Sequence, residues 1–138
     1  MSATIQNAWD VIGTAAAPVT LTSAYSGNQK ILTVHGYRFI TVEIDFTPAT
    51  ANRTLSIQYE FSSDDETNWY KDTGKATGVA TKELFILPTE FTGASASTVY
   101  KLHDKLEVSE KTMRISLKEN ATSGFGTAHI RVVVTPYV

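Results

Sequence analysis

A strict alternation of apolar and polar side chains constrains the fold of this chain more than any other feature of its 138 residues. Four segments share the alternation: RFITVEIDF at 38–46, RTLSIQYEF at 53–61, TMRISLK at 112–118 and AHIRVVVT at 128–135. A period of two places successive side chains on opposite sides of an extended chain. Each segment therefore predicts a β-strand with one buried face and one solvated face.

Shorter candidate strands and turn signals fill the spaces between these segments. The shorter candidates are residues 19–23, 31–34, 69–71, 83–87 and 99–108. Gly, Pro, Asn and Ser collect between the strands, as in SGNQ at 26–29 and TPATAN at 47–52, and these residues favour turns. Strands of this number and spacing predict an all-β fold of about eight strands, either an antiparallel sandwich or a barrel.

The segment VYKLHDKLEV, residues 99–108, fits two different periods. Val99, Leu102 and Leu106 have the spacing of a helix face, while a strand interrupted at Asp104 also fits. We predict a strand, because β-branched and aromatic residues at its start favour extended structure.

The first 17 residues differ from the rest, since they are rich in Ala, Ser, Thr and Asn. This composition predicts an N-terminal arm at 1–17, followed by a β-sandwich domain at 18–138. A small apolar cluster of Trp9, Val11 and Ile12 lies in the arm, and Trp is frequent at interface hot spots. These three residues are therefore the candidate partner-binding residues. The alternative is an N-terminal strand packed on the protein's own sheet.

Composition argues against several classes of protein. The net charge is −2 without clusters of Lys and Arg, which disfavours nucleic-acid binding. There is no cysteine, so a disulfide framework, thiolate metal ligands and a cysteine nucleophile are excluded. The N-terminus lacks the features of a signal peptide, and no stretch approaches the roughly 18 apolar residues of a membrane helix. We expect a protein that folds in a cytoplasm and has no membrane partner.

The most distinctive polar stretch is SSDDETNWY, residues 62–70. Asp64, Glu66 and Asn68 alternate in the manner of calcium ligands, but the glycine and the bidentate glutamate of an EF-hand loop are missing. A hairpin turn is the preferred interpretation, because Asp and Asn side chains bond nearby backbone groups in turns. The third interpretation is a sugar-binding tip, in which Trp69 and Tyr70 would be the glycan contacts.

Signatures of catalysis are missing from the sequence. Most acids lie on the solvated faces of predicted strands, whereas glycoside hydrolysis needs two carboxylates facing each other across a cleft. The histidines do not have the spacing of a metal site, and they are His35, His103 and His129. Neither a G-x-S-x-G elbow nor a phosphate-binding loop occurs. We therefore expect a protein that is not an enzyme and uses no metal or other cofactor.

The block ILTVHGYRFITVEIDFTPATANRTLSIQYEFSSDDETNWYKD, residues 31–72, resembles a recurring block in small all-β virion proteins of tailed bacteriophages. Such a block contains a strand of the form hGY followed by TV, a strand that ends in Tyr or Phe, and a polar turn ending in TNWY. The residues that carry the match are Gly36, Tyr37, Ser63, Asp64, Thr67, Asn68 and Trp69. Asp65 and Glu66 stand where a glycine is common, so the turn here is longer.

The resemblance implies a jelly-roll-like sandwich, often trimeric, that attaches to a phage head or tail and has no catalytic residues. The expected function is that of a head decoration or auxiliary protein in the virion. Its expected partners are other virion proteins, namely the major capsid protein or a tail protein, together with further copies of itself. The alternative is a carbohydrate-binding module or a receptor-binding tail accessory protein. Exposed aromatic residues would then be needed, and the candidates are Trp9, Tyr25, Trp69, Tyr70 and Tyr100.

Overall fold

The computed structural model describes residues 7–34, 36–62, 69–71, 73–74, 84–85, 89–108 and 111–136. Within these ranges the regular structure is β-strand apart from one short 3-10 helix at Tyr25–Gly27. The strands are β1 (Asn7–Ile12), β2 (Val19–Thr20), β3 (Asn28–Thr33), β4 (Tyr37–Thr47), β5 (Arg53–Ser62), β6 (Tyr70–Lys71), β7 (Thr73–Gly74), β8 (Leu84–Phe85), β9 (Thr89–Gly93), β10 (Tyr100–Glu107), β11 (Thr112–Glu119) and β12 (Thr127–Pro136).

The strands form two antiparallel sheets and one small separate ladder. Sheet A has the order β1-β12-β4-β10, and β2 also pairs with β12. Sheet B has the order β3-β11-β5-β6, and β9 also pairs with β5, while β7 pairs with β8. The long strands alternate between the sheets along most of the chain, and the last strand lies between β1 and β4. This is the strand order of a jelly roll, which confirms the predicted antiparallel β-sandwich.

The core lies between the two sheets and is built from alternate positions of the long strands. Its most deeply buried members are Ile40, Val42, Ile44, Phe46, Leu55, Ile57, Met113, Ile115, Leu117, Ile130, Val132 and Val134. They come from β4, β5, β11 and β12, which are the four segments that show the clearest alternation in sequence. Each of these strands has neighbours on both sides. A strand inside a sheet buries its inner face completely, so its alternation is the clearest.

The structure contains strands at the ambiguous segment 99–108 and on both sides of the polar stretch 62–70. Residues 100–107 form β10, with alternate half-buried and exposed side chains along its whole length, so the strand prediction is confirmed and the helical alternative is wrong. β5 and β6 pair antiparallel, with Phe61 opposite Tyr70, as expected for the two arms of a hairpin. The intervening residues 63–68 lie outside the described residues, so the metal and turn interpretations of this segment stay predictions.

The N-terminal segment is where the sequence prediction is wrong. Residues 7–12 form β1, which pairs antiparallel with β12 at the edge of sheet A, and Val11 and Ile12 are buried in the core. The register shifts between Asp10 and Ile12, so a β-bulge lets two adjacent side chains face inward. Because the bulge interrupts the alternation, the segment does not show the period of a strand. The predicted arm is therefore limited to residues outside 7–12, and residues 1–6 lie outside the described residues.

Candidate functional site

A row of charged side chains crosses the outer face of sheet A. His129 on β12 is only 8% exposed, and its Nε2 lies 2.5 Å from Asp10 Oδ1 on β1. Its Nδ1 lies 3.9 Å from Asp45 Oδ2 on β4. Lys101 on β10 completes the row, since its Nζ donates to both carboxylate oxygens of Asp45 at 3.2 Å. The row therefore links all four main strands of sheet A through side chains.

This row borders a cavity of about 330 Å³. The remaining lining residues are Ala15, Glu43, Leu102 and Arg131. Ala15 belongs to the loop after β1, which begins at Gly13 with φ +67°. A Cβ atom at Gly13 would lie 3.0 Å from the backbone nitrogen of Val19, so glycine permits both the left-handed turn and the close approach. The β-bulge and this turn together place Asp10 and Ala15 in the lining of the same cavity.

The chemistry available in the cavity is recognition of a polar group. A carboxylate that orients a histidine is part of the apparatus of acyl-transfer enzymes, which also need a nucleophile. Among the described residues that line the cavity none carries a hydroxyl or a thiol, and the other cations are paired with acids. Arg131 Nη1 lies 3.5 Å from Glu43 Oε1, in addition to the Lys101–Asp45 pair. The described lining therefore offers a buried histidine between two carboxylates together with two Lys/Arg–acid pairs, groups that suit binding of a polar ligand and cohesion between strands.

The outer face of sheet B carries a second ordered cluster, formed by Glu60, Trp69 and Arg114. Arg114 on β11 donates from Nε and Nη2 to Glu60 Oε1 on β5, at 3.0 and 2.9 Å. Its guanidinium carbon lies 4.5 Å from the centroid of the Trp69 ring, a cation–π distance. Glu60 is buried and Arg114 and Trp69 are half-buried, so the charges of this cluster are paired and partly shielded from water.

The two predicted glycan contacts have different environments. Arg114 covers one face of the Trp69 ring, so this face is not available to stack on a sugar. Tyr70, the next residue, is 62% exposed and sits opposite Phe61 in the ladder between β5 and β6. Of the pair, Tyr70 offers the more accessible aromatic ring.

The three predicted partner-binding residues belong to the sandwich itself. Val11 and Ile12 are buried, so a partner cannot contact their side chains without local unfolding. Trp9 is half-buried and packs on the core, with its ring centroid 6.5 Å from that of Tyr37. Trp9 lies on sheet A and Trp69 on sheet B, and the fold therefore does not assemble the predicted contact residues into one surface.

An inward-facing polar pair links the two sheets at the β10 side. The Tyr59 hydroxyl on β5 donates to Asp104 Oδ2 on β10 at 2.7 Å. Burial, followed by the hydrogen bond and the negative charge of Asp104, raises the pKa of Tyr59 far above its ordinary value of 10.0. The phenol therefore keeps its proton and remains a donor to Asp104 in the folded protein.

Stability is expected to depend on this phenol in alkaline solution. Below about pH 10 the tyrosine is protonated in both states, so it adds no slope to the unfolding free energy. Above that pH the unfolded chain loses the proton first, because the folded pKa is raised, and stability falls as pH increases. Tyr59→Phe should lower the unfolding free energy by about 1–2 kcal/mol at neutral pH and reduce the alkaline fall.

The measurement is urea unfolding at a series of pH values from neutral to alkaline. Tyr70→Phe removes a hydroxyl from an exposed residue and is the matched control, which should keep the wild-type stability at neutral pH. An alkaline slope that is the same in Tyr59→Phe and in the wild type would contradict this assignment.

Sequence reasoning did not find the Asp10–His129–Asp45 row. It placed His129 and Asp45 on solvated strand faces and treated the histidine as isolated, whereas His129 is buried and Asp45 is half-buried. The three residues are far apart in sequence and come together only because β12 lies between β1 and β4. Arranging the strands in the order of a jelly roll would have placed these three residues on neighbouring strands.

Comparison with known proteins supplies no relative for this site. No protein-family model matches the chain, and no curated protein matches it. In the described part of the chain no three His, Asp or Glu side chains are grouped so that they would hold a metal ion. None of the described helical structure is long and apolar enough to span a membrane.

Proposed function

We propose that this protein is a non-enzymatic structural component of a tailed-bacteriophage virion, a head decoration or auxiliary protein that binds the capsid surface. The jelly-roll strand order carries the proposal, because this architecture recurs in viral capsid domains. The resemblance of residues 31–72 to a block of small virion proteins supports the same function. Its partner is the major capsid protein or a tail protein, and it is located in the virion after folding in the host cytoplasm.

The surfaces of the two sheets suit binding to another protein. Charged side chains on both outer faces are already ordered by internal pairs, as in His129–Asp10 and Arg114–Glu60. Side chains that are ordered before binding lose less conformational entropy when a partner arrives. A rigid sandwich with such faces attaches to a lattice without a change of shape.

The proposal is tested by binding of the purified protein to heads and to tails that lack it. Saturable co-sedimentation with one of these particles is expected, together with no turnover of a panel of glycosides and esters. Binding to neither particle would contradict the virion role. Turnover at enzyme-like rates would contradict the non-enzymatic assignment.

Carbohydrate binding is the second candidate, and the exposed ring of Tyr70 is the observation that favours it. A glycan panel measured on the same preparation separates the two functions. In the glycan measurement Tyr70→Ala should abolish glycan binding. Val99→Ala, at a residue that is 52% exposed, should keep it. Glycan binding without attachment to particles would replace the decoration proposal by this alternative.

A further inference from the structure

One ring nitrogen of His129, in the lining of the sheet A cavity, makes no hydrogen bond within the described chain. The other nitrogen, Nε2, contacts the Asp10 carboxylate, which only accepts hydrogen bonds, so Nε2 carries a proton. In the neutral imidazole Nδ1 is then an acceptor. It faces Asp45 Oδ2 at 3.9 Å, which is beyond hydrogen-bonding distance. Because His129 is 8% exposed, bulk water has little access to this nitrogen.

Two acceptors at this separation suit a group that donates hydrogen bonds in two directions. Bonds of about 2.9 Å from a single nitrogen atom reach both Nδ1 and Oδ2, since twice that length exceeds the gap between them. Lys101 donates one bond to each carboxylate oxygen of Asp45. Each of these oxygens accepts more than one hydrogen bond, so Oδ2 has room for a second donor.

The charge of the cavity lining favours a cation at this place. The carboxylates of the lining are Asp10, Glu43 and Asp45, and its Lys and Arg side chains are Lys101 and Arg131. Three negative and two positive charges leave one negative charge while His129 is neutral. Both Lys101 and Arg131 are paired with an acid, which disfavours an anion as the ligand. In a partly enclosed site the remaining negative charge attracts a cation more strongly than it would in water.

We propose that the cavity binds a primary ammonium group, held between His129 Nδ1 and Asp45 Oδ2. Such a group has three N–H donors and no acceptor, so it satisfies both atoms and keeps one donor for water. Leu102 and Ala15 add apolar side chains to the lining, which suits the carbon chain attached to the nitrogen. The ligand is an alkylammonium compound, either a free amine or the lysine side chain of another protein. Its binding does not depend on a role in the virion.

Two groups compete with this ligand for the same atoms. A second proton on His129 turns Nδ1 into a donor, so the affinity should fall in acid, where histidines become charged. The Lys101 side chain is 75% exposed, and an exposed ion pair contributes little, so Lys101 leaves Asp45 at small cost.

Further charged and titratable groups surround His129 on this face of sheet A. β1 contributes Asp10, β4 contributes Glu43, and β12 contributes Arg131. β10 contributes His103, which pairs with Glu43 in the ladder and is exposed. The test must therefore distinguish the titration of His129 from that of His103.

The first test is a titration of the full chain with n-butylammonium chloride, followed by NMR at about pH 8, where histidines are mostly neutral. Saturable shifts of the backbone amides around His129 and Asp45 are expected. Tetramethylammonium chloride has the same charge but no N–H group, so it should cause no such shifts. A short peptide with one lysine, and the same peptide with that lysine acetylated, identify the source of the ammonium group. Binding of the unmodified peptide alone or together with n-butylammonium assigns a lysine side chain, and binding of n-butylammonium alone assigns a free amine.

Two variants with opposite expected effects test the position of the ligand. Asp45→Asn removes a charged acceptor and should weaken n-butylammonium binding by about tenfold or more. Lys101→Ala removes the competing donor and should strengthen it. Lys105→Ala, at an exposed lysine of the same strand, is the matched control and should leave the affinity unchanged. Thermal melting of each variant confirms that it is folded.

The pH dependence tests the role of His129. The wild-type affinity should fall between about pH 8 and about pH 5, the range in which histidines titrate, and His103→Phe should keep this fall. The proposal would be overturned if neither n-butylammonium nor the lysine peptide binds, or if tetramethylammonium binds as well as n-butylammonium. Weaker binding in Lys101→Ala, which an anion site predicts, or loss of the pH dependence in His103→Phe would overturn it as well.

Discussion

Deletion of residues 1–12 is expected to destabilise the folded protein by roughly 3–6 kcal/mol, at about 1.5–3 kcal/mol for each buried aliphatic side chain. The deletion removes Val11 and Ile12 from the core. It also removes β1, which pairs with β12 from Ile130 to Val134, and it breaks the Asp10–His129 contact. Urea unfolding of the truncated and full chains, monitored by circular dichroism, measures the difference.

Two point variants separate core packing from other effects of the deletion. Ile12→Ala should show a substantial part of the loss, about 2–5 kcal/mol, while Ala8→Ser, at an exposed position of the same strand, should be nearly neutral. The original arm hypothesis makes the opposite prediction, because an arm would be needed for attachment and not for folding. Unchanged unfolding after the deletion, with attachment to particles lost, would restore that hypothesis.

Phe46→Ala is expected to cost about 3–5 kcal/mol of unfolding free energy. Phe46 is fully buried in the middle of sheet A, and its ring meets that of Phe91 edge-on with centroids 6.5 Å apart. Phe91 in turn lies 5.1 Å from the Tyr100 ring, so these rings connect β4, β9 and β10 across the two sheets. Truncation leaves a cavity that the surrounding strands, fixed by their ladders, fill only in part.

The comparison with Phe39→Ala tests this explanation. Phe39 is a half-buried residue on the outer face of the same strand, and Lys105 Nζ lies 4.8 Å from its ring centroid. Its truncation opens no enclosed cavity, so the loss should be clearly smaller than at Phe46. Equal losses at the two positions, measured by the same unfolding experiment, would show that the core is not packed as described.

How well each strand is predicted depends on its place in its sheet. The segments around Val42, Ile57, Ile115 and Val132 are correctly predicted as strands, because both neighbouring strands and the opposite sheet bury one face of them. The predicted solvated face is wrong for β5 and β11, where the polar residues Ser56, Gln58, Glu60 and Ser116 are buried as well. β1 is missed because it is an edge strand, and its bulge sets Val11 and Ile12 side by side. β10 is intermediate, because Asp104 occupies an inward position where an apolar residue would have completed the period.

Little of the candidate site is predictable from single residues. Tyr70 is exposed, and its assignment as a glycan contact stays a prediction, whereas Trp69 contacts Arg114 from a strand more than forty residues away in sequence. The two carboxylate neighbours of His129 are Asp10 on β1 and Asp45 on β4, and both strands lie far from β12 in the sequence. Contacts of this kind depend on strand order and register, which local composition does not determine.

The amino-acid sequence by itself determines that the fold is all-β, since the alternation of side chains is a local property that burial of one strand face imposes. It also determines that no cysteine chemistry takes part. Only the tertiary structure decides that the strands form two packed sheets and not a closed barrel, that residues 7–12 belong to sheet A, and that Asp10, His129 and Asp45 meet. These features follow from which strands become neighbours and in what register, because hydrogen-bond ladders join residues that lie far apart along the chain.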